Sequence, residues 1–426
     1  MSLDIQPRTG PPDTQFNGLT PHFTASIVRR NRTASLWRLV FQLATIFGMV
    51  VLALLLYTIV NKSFGLVAIN NRVDPDSLAV NGVSIEELDK DVLVNILQNN
   101  VSMGKYRQLE REKTMTERTR DEVYALVIED VVQPEDVVGT WTLVDSLFNR
   151  AKILAQVEQE NPNANVKFVS WITSEFITSP QNSDPLKAGV STAILGSLLT
   201  IAITILVAFP IGVGAAIYLV EYAQDNWLNR VIQTNISNLA GVPSIIYGML
   251  GLAIFVRELA PITSGAVFGV ADPTTANGRT ILSAGLTLAL LVLPVLIING
   301  QEAIRTVPAS LREASYGLGA TKWQTVWHHV LPSAIPGILT GTILGISRAI
   351  GETAPLVVVG AATYITFNPN GPFSQFTTLP IQIYQWTARA QGEFRNIAAA
   401  AILVLLILLL TLNASAILLR NRYSRK

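Results

Sequence analysis

The sequence predicts an all-α, polytopic membrane protein with six transmembrane helices and a mostly helical insertion between the first two. Half of the 426 residues are hydrophobic and only 14% are charged, against about 25% charged in an ordinary soluble domain. Charged residues are concentrated outside long apolar stretches, which suit the roughly 20 apolar residues that cross a bilayer as a helix. Six stretches qualify: between Arg38 and Lys62, Ala188 to Val220, Val231 to Val256, Thr280 to Gln301, Pro332 to Tyr364 (interrupted only by Arg348 and Glu352), and Ile397 to Leu419.

These stretches divide the chain into a short series of segments. The first apolar run is too long for a signal peptide and has no small-residue cleavage site, so we expect a retained anchor. Residues 1–28 have little periodicity and several Pro and Gly, and are expected to be disordered. The predicted segments are an N-terminal tail (1–36), transmembrane helix 1 (37–61), an insertion (62–187), a core with helices 2–6 (188–420) that includes a loop at 302–332, and a C-terminal tail (421–426).

Basic residues predict the orientation, because Lys and Arg near membrane helices favour the cytoplasm. With both termini inside, twelve basic residues flank the cytoplasmic side and four the opposite side, which places the insertion outside the cytoplasm. The inner set is Arg29, Arg30, Arg32, Arg38, Arg230, Arg305, Arg312, Lys322, Arg420, Arg422, Arg425 and Lys426; the outer set is Arg257, Arg279, Arg389 and Arg395.

The insertion is acidic, with 13 Lys/Arg and 20 Asp/Glu and hence a net charge of −7, while the rest of the chain carries +8. Its patterns predict three helices. The first opens with a capping box of Ser84 and Glu87, and it places three apolar residues on one face. These helices are Ser84 to Val101 (apolar face Leu88, Val92 and Leu97), Lys105 to Val131, and Leu143 to Glu160.

The loop from Glu302 to Pro332 predicts two short helices joined at a glycine. Pro308 suits a first helical turn, Gly319 tolerates a helix stop with positive φ, and Thr321 with Gln324 forms a capping box. A simple reversal of the chain needs only a few residues, so this length predicts a docking surface; ordinary helix and turn residues are the alternative. Leu311, Ala314 and Leu318 share one side of the first helix, and Gly317 accompanies Gly319 at its end.

Two charges interrupt the fifth apolar stretch. An arginine in the bilayer interior costs about 2.5–3.5 kcal/mol on insertion scales, so it usually faces the bundle interior or a water-filled path. Glu352 lies one turn from Arg348 on the same face, and Pro355 frees the carbonyl of Gly351. One interpretation is an internal ion pair that holds the bundle together. The other is a cationic step for an anion, with Ser347 and Thr353 beside it.

The loop resembles that of the permease subunits of binding-protein-dependent ABC importers. Their motif is Glu-Ala-Ala, three residues, Gly, nine residues, Ile, one residue, Leu-Pro. This chain has Glu313, Ala314, Gly319, Leu331 and Pro332 at matching positions, and the resemblance implies that these residues couple the permease to a separate ATPase. It departs from the motif in Ser315, which replaces the second Ala, and in His329, which replaces the Ile.

Further segments resemble the PstA-type permease of phosphate-specific transporters: Ser347 to Leu356, Gly241 to Gly248, and Thr378 to Tyr384. The resemblance implies a subunit that imports inorganic phosphate across the cytoplasmic membrane, among membrane lipid. Its implied partners are an ATPase dimer, a homologous second permease and an outer phosphate-binding protein. Glu352 could accept a hydrogen bond from a protonated phosphate, whereas sulfate has no proton to offer at neutral pH. Alternatives are an importer of another oxyanion such as sulfate or molybdate, or a membrane-anchored sensor or scaffold.

Several other functions find no support in the sequence. Without cysteine there is neither a disulfide nor a thiolate nucleophile or metal ligand. Gly104-Lys105 lacks the rest of a phosphate loop, so we expect ATP to be hydrolysed by another chain. His328 and His329 point about 100° apart on a helix, which is poor geometry for one metal. We therefore expect no enzyme activity, no cofactor, no metal and no nucleic-acid partner.

Overall fold

A computed structural model describes residues 21–71, 73, 75–80, 83–132, 134–161, 164–270, 278–361 and 364–424. The chain divides into two units, Met1–Thr58 and Ile59–Lys426. The first contains most of helix α1 (Pro21–Ser63), whose candidate span Thr33–Ser63 buries none of its most apolar window. The helix is longer than predicted, because no proline interrupts it after Pro21. The prediction of disorder for residues 1–28 lies outside the described residues as far as residue 20; from Pro21 the chain is helical.

A small antiparallel sheet opens the insertion. Strands β1 (Phe64–Asn71), β2 (Pro134–Thr140) and β3 (Ala164–Ser170) pair in the order β2-β1-β3, and β1 follows α1 directly. Val67 lies opposite Thr140 on one side and Lys167 on the other. The predicted all-α class is confirmed, but the sequence prediction lacked this sheet. Its strands are short and pair across about 60 residues or more of chain, so no local hairpin pattern marks them.

The insertion helices are shorter and more numerous than predicted. The capping box at Ser84 is wrong: the first long helix starts after Asp89, and a capping box instead joins Thr119 and Glu122. That box begins a new helix, which explains why the predicted helix from Lys105 to Val131 is broken. Described helices of this segment are α2 (Lys90–Asn100), α3 (Met103–Glu112), α4 (Arg120–Val127), α5 (Leu143–Phe148), α6 (Arg150–Glu160) and α7 (Ser174–Thr178).

The core contains the remaining apolar helices, packed closely through small residues. A Cβ at Gly285 would lie 2.6 Å from Ile203 Cγ2, and one at Gly341 would lie 2.4 Å from Asn299 Cβ. The helices are α8 (Ser191–Ile217), α9 (Trp227–Ala240), α10 (Ser244–Gly251), α11 (Ala260–Thr263), α12 (Ile281–Arg305), α13 (Ala309–Gly317), α14 (Lys322–Thr325), α15 (Leu331–Gly351), α16 (Ala354–Val359), α17 (Leu379–Ala388) and α18 (Glu393–Ser424).

Among the described residues, five helices are long and apolar enough to cross a membrane, and a bent pair makes a sixth candidate. The bent pair is the predicted third span: α9 and the helix Ser244–Glu258 meet at 104°. The expectation of one straight helix from Val231 to Val256 is therefore wrong. Pro243 has no N–H to donate, and Gly241 precedes it, so the helix ends there. Tyr247 Oη donates to Leu239 O at 2.8 Å across the bend.

Candidate functional site

The fifth span is broken where the sequence predicts a continuous helix. Helix α15 ends at Gly351, and Glu352 is extended (φ −74°, ψ 125°) before α16 starts at Ala354. Pro355 lies in the first turn of α16, where its missing N–H costs least. The prediction of one helix to Tyr364 is wrong, because this proline starts a second helix, which ends at Gly360 with φ 104°. The break exposes polar backbone beside the two charges.

Arg348 and Glu352 lie together at this break. Arg348 Nε donates to Glu352 Oε1 at 3.3 Å, and the side chains are 43% and 18% exposed. Within the described residues this is the one hydrogen bond that the Arg348 guanidinium makes. A guanidinium has five N–H donors, so most of them make no hydrogen bond to the described residues. The contact with Glu352 neutralises part of the guanidinium charge.

The two flanking residues predicted to line the path differ in their surroundings. Ser347 Oγ lies 2.8 Å from Ile343 O and 2.8 Å from Asn413 Oδ1 on α18, so its single proton is already shared. Its hydroxyl thus holds α15 to α18 beside the break. Thr353 is half-buried at the start of α16, and its side chain makes no capping hydrogen bond. The Ser347 hydroxyl is therefore committed to α18, whereas no capping bond occupies the Thr353 hydroxyl.

Helix α10 packs closely against α16, the helix that follows the break. A Cβ at Gly248 would lie 2.6 Å from Pro355 Cα and 2.9 Å from Pro355 O, so only glycine permits this approach of α10 to α16. Two segments that the resemblance singled out, Gly241 to Gly248 and Ser347 to Leu356, therefore meet in the structure. Their contact fixes the direction of α16 relative to Arg348.

The predicted loop forms two short helices joined by a glycine turn. Ala320 N donates to Ser315 O at 3.2 Å and Gly319 N to Tyr316 O at 2.9 Å, the paired bonds of a Schellman motif. Gly319 has φ 82°, and space is open around its Cα. The capping box of Thr321 and Gln324 is confirmed, with both reciprocal hydrogen bonds present.

The loop has an exposed side and a packed side. Glu313 and Ala314 are exposed, as are Leu311 and Leu318, the latter by 90%. Leu311 on α13 and Leu318 at its C-terminal cap thus leave apolar surface on this side of the loop. On the packed side, Ser315 Oγ lies 2.8 Å from Thr325 Oγ1 and links α13 to α14. The serine that departs from the motif thus makes a bond that alanine could not.

The end of the motif serves the fold as much as the surface. Leu331 is half-buried and packs on a cluster that includes Ile304, Val330 and Ile338. Pro332 lies in the first turn of α15 and is exposed. The structure therefore brings Glu313, Ala314 and Gly319 to the exposed side, and places Leu331 within the bundle.

The break and the loop both fall within a match to a known family. Residues 208–426 match the family described as the binding-protein-dependent transport system inner membrane component. The chain belongs to this family. Members are permease subunits of ABC importers, non-catalytic components of the inner membrane, and the family implies an ATPase and a substrate-binding protein as partners. The predicted transporter class and the prediction that the chain is not an enzyme are confirmed.

Individual relatives of the permease include phosphate transport proteins. Over 244 residues it is 34% identical to the probable ABC transporter permease protein YqgI of Bacillus subtilis, covering 55% of this chain and 77% of the relative. It is 36% identical to the phosphate transport system permease protein PstC of Pasteurella multocida, over 48% and 66% of the two chains. It is 35% identical to the phosphate transport system permease protein PstA 1 of Mycobacterium tuberculosis H37Rv, over 54% and 70%.

Two polar contacts between distant segments were missed by sequence reasoning. Arg312, counted only as a basic loop residue, forms a buried ion pair with Glu221 at the end of the second span. Asn413, the partner of Ser347, was likewise not selected. The available signal was that Glu221 and Asn413 are polar residues at or within apolar helices, where polar side chains usually have partners.

Proposed function

We propose that this permease translocates inorganic phosphate into the cell. The observation that carries the proposal is the Arg348 guanidinium, exposed at a break in a membrane helix with most donors unused by the described residues. Guanidinium donors match the oxygens of a tetrahedral anion in pairs. The naming of relatives as phosphate transport permeases supports the same solute.

Glu352 supplies the selectivity in this proposal. Between visits of the anion it neutralises Arg348 through the 3.3 Å contact. Phosphate carries a proton at neutral pH and donates it in a hydrogen bond to the carboxylate, whereas sulfate has none and is repelled. Thr353 adds a hydroxyl donor on the far side of the break. Ser347 serves as a positioning residue through Asn413.

The proposed orientation follows the distribution of basic residues, with both termini in the cytoplasm. The loop 302–332 then faces the cytoplasm, and its exposed side, with Glu313, Ala314 and Gly319, docks on the ATPase. An ATPase dimer, a homologous second permease and an outer phosphate-binding protein complete the transporter. Because the Arg348 side chain is 43% exposed on this chain, we place the second permease at the other wall of the path.

The insertion 62–187 lies outside the cytoplasm in this orientation. Its net charge of −7 repels phosphate, so it does not concentrate the substrate. Contact with the binding protein or with the second permease is the role we propose for it.

The test is phosphate uptake by vesicles that contain the permease co-purified with its ATPase. We expect phosphate to stimulate ATP hydrolysis, and Arg348→Ala to lower uptake at least roughly 30-fold, since losing one partner of a close charge contact costs about 2 kcal/mol or more. The complex itself should assemble, because the side chain is exposed.

Competition by sulfate and molybdate separates phosphate from the other oxyanions. The proposal is supported if excess unlabelled phosphate inhibits uptake and excess sulfate and molybdate do not. Equal inhibition by sulfate or molybdate would assign the permease to another oxyanion. Undiminished uptake by Arg348→Ala would remove Arg348 from the path.

A further inference from the structure

Arg312 and Glu221 form a buried ion pair at the cytoplasmic end of the core. Arg312 Nε and Nη2 both donate to Glu221 Oε1, at 3.0 and 2.8 Å, and the side chains are 18% and 5% exposed. Glu221 lies in the π-helical turn Tyr218–Tyr222 that ends the second span. Arg312 lies on α13, one residue before Glu313.

The same guanidinium also binds the end of α12. Nη1 donates to Val307 O at 2.7 Å, and Nη2 donates to Ile304 O at 3.0 Å. Val307 O lies just past the end of α12, and Ile304 O already accepts from Val307 N at 3.2 Å, so Arg312 adds a second donor at Ile304 O and one at Val307 O. One side chain thus joins three segments: the end of α8, the end of α12 and the loop helix α13. Lysine could not make this set of bonds, because it lacks the planar fork of donors.

The ion pair of Arg312 and Glu221 lies on the side of α13 that faces the core, opposite the exposed side of this helix. Ser315 and Arg312 point toward the core, while Leu311 and Ala314 are exposed. A force applied to the exposed side of α13 therefore reaches α8 and α12 through the guanidinium. From α12 the force reaches α15, because Gly341 on α15 allows Asn299 on α12 to approach closely.

We propose that Arg312 and Glu221 form a clamp that transmits movement of the ATPase-bound loop to the helices around the break at Arg348. Both are positioning residues, since neither touches the solute. The inference rests on the proposed function in one respect, that the loop docks on an ATPase. It does not depend on which solute is carried.

The test compares Glu221→Gln and Arg312→Lys in vesicles with the co-purified ATPase. A cysteine reporter at Gly351 is convenient because the chain has no cysteine and space is open there. In the otherwise unchanged protein, we expect ATP to alter the rate at which a membrane-impermeant maleimide labels this cysteine. In both clamp variants we expect ATP hydrolysis to continue, while the ATP-dependent change in labelling falls about 5-fold or more.

Arg230→Lys is the matched control, because Arg230 and Asp225 form a two-bond pair of the same kind that is 71% and 81% exposed. It should behave as the unmodified protein. The exchange Arg312→Glu with Glu221→Arg should recover part of the labelling change.

Two results would overturn the clamp. The first is an unchanged ATP-dependent labelling in both variants, which would make the pair a stabilising contact only. The second is loss of ATPase binding by both, which would mean that the pair shapes the docking surface and transmits nothing. Failure of phosphate to be carried would leave both readouts intact, so it would count against the proposed solute alone.

Discussion

Two arginine–glutamate pairs in the permease core have the same chemistry and opposite surroundings. At the break, Arg348 makes one hydrogen bond of 3.3 Å to Glu352 and is 43% exposed. At the loop, Arg312 makes two bonds to Glu221 and two to backbone carbonyls, and is 18% exposed. Most donors of Arg348 therefore make no hydrogen bond to the described residues, whereas most donors of Arg312 bond to the protein.

The difference shows how one residue pair can serve binding or structure. Arg312 makes four hydrogen bonds, two of them to Glu221, and breaking a buried pair by removing one partner costs about 3–5 kcal/mol. The contact of Arg348 with Glu352 is longer, and its arginine is more exposed than Arg312. In the proposed mechanism, Arg348 can therefore change partner during transport at a lower cost than Arg312.

The same substitution in the two carboxylates sharpens this contrast most. We expect Glu352→Gln to admit sulfate, because the amide donates hydrogen bonds where the carboxylate repelled an unprotonated anion. The preference for phosphate over sulfate should fall about tenfold or more, which corresponds to roughly 1.4 kcal/mol. Labelled uptake of both anions measures it.

Glu221→Gln is the control for selectivity. It lies at the loop and should leave the ratio of phosphate to sulfate uptake unchanged, even where total uptake falls. If Glu352→Gln excludes sulfate as strongly as the unmodified protein does, the carboxylate does not determine the anion preference.

A smaller effect is expected from the bond that positions the open pair. Ser347→Ala removes the hydroxyl that links α15 to Asn413 of α18, and interhelical bonds in membranes average about 0.6 kcal/mol. We expect a fall in the midpoint of thermal unfolding in nanodiscs and an uptake reduced about 2- to 3-fold, with anion preference retained. Ser333→Ala is the matched control, since that hydroxyl bonds to His329 O, four residues earlier in the chain, and not to another span. A changed anion preference in Ser347→Ala would place this hydroxyl on the solute instead.

Local signals in the sequence predicted the loop well. The Schellman end at Gly319 and the capping box at Thr321 each depend on residues within one turn, so composition and spacing suffice. The pairing of Arg348 with Glu352 was predictable for the same reason, because residues four apart share a helix face.

Features that join distant segments were not predictable. The clamp links residues 221 and 312, and the sheet links strands about 70 and 100 residues apart. Nothing local marks either, since both depend on how helices and strands pack. The bend at Pro243 and the break at Glu352 had local signals in their prolines, but proline is common inside membrane helices without ending them, so the apolar run prevailed.

A third ion pair lies in the insertion, and we expect it to contribute less to stability than the two pairs of the core. Lys113 Nζ lies 2.7 and 2.9 Å from the two Glu122 oxygens, and both side chains are about 40% exposed. The hydrogen bond from Lys113, followed by that from Thr119 N, lowers the pKa of Glu122 below its ordinary value. The stability that a lowered pKa gives is present above the unfolded value of about 4.3 and is lost as pH falls through the folded value.

We therefore expect hydrogen-exchange protection of the Thr119 amide, corrected for intrinsic exchange, to stay level from neutral pH to about pH 5 and to fall below about pH 4. Glu122→Gln retains the capping bond to Thr119 N but has no charge to titrate, so its protection should show no such step. The stability lost with this pair should be the smallest of the three, because water screens this pair most. Level protection in the unmodified protein down to pH 3, or an equal step in Glu122→Gln, would contradict this prediction. Either result would show that the exposure of an ion pair does not by itself determine how much the pair contributes to stability.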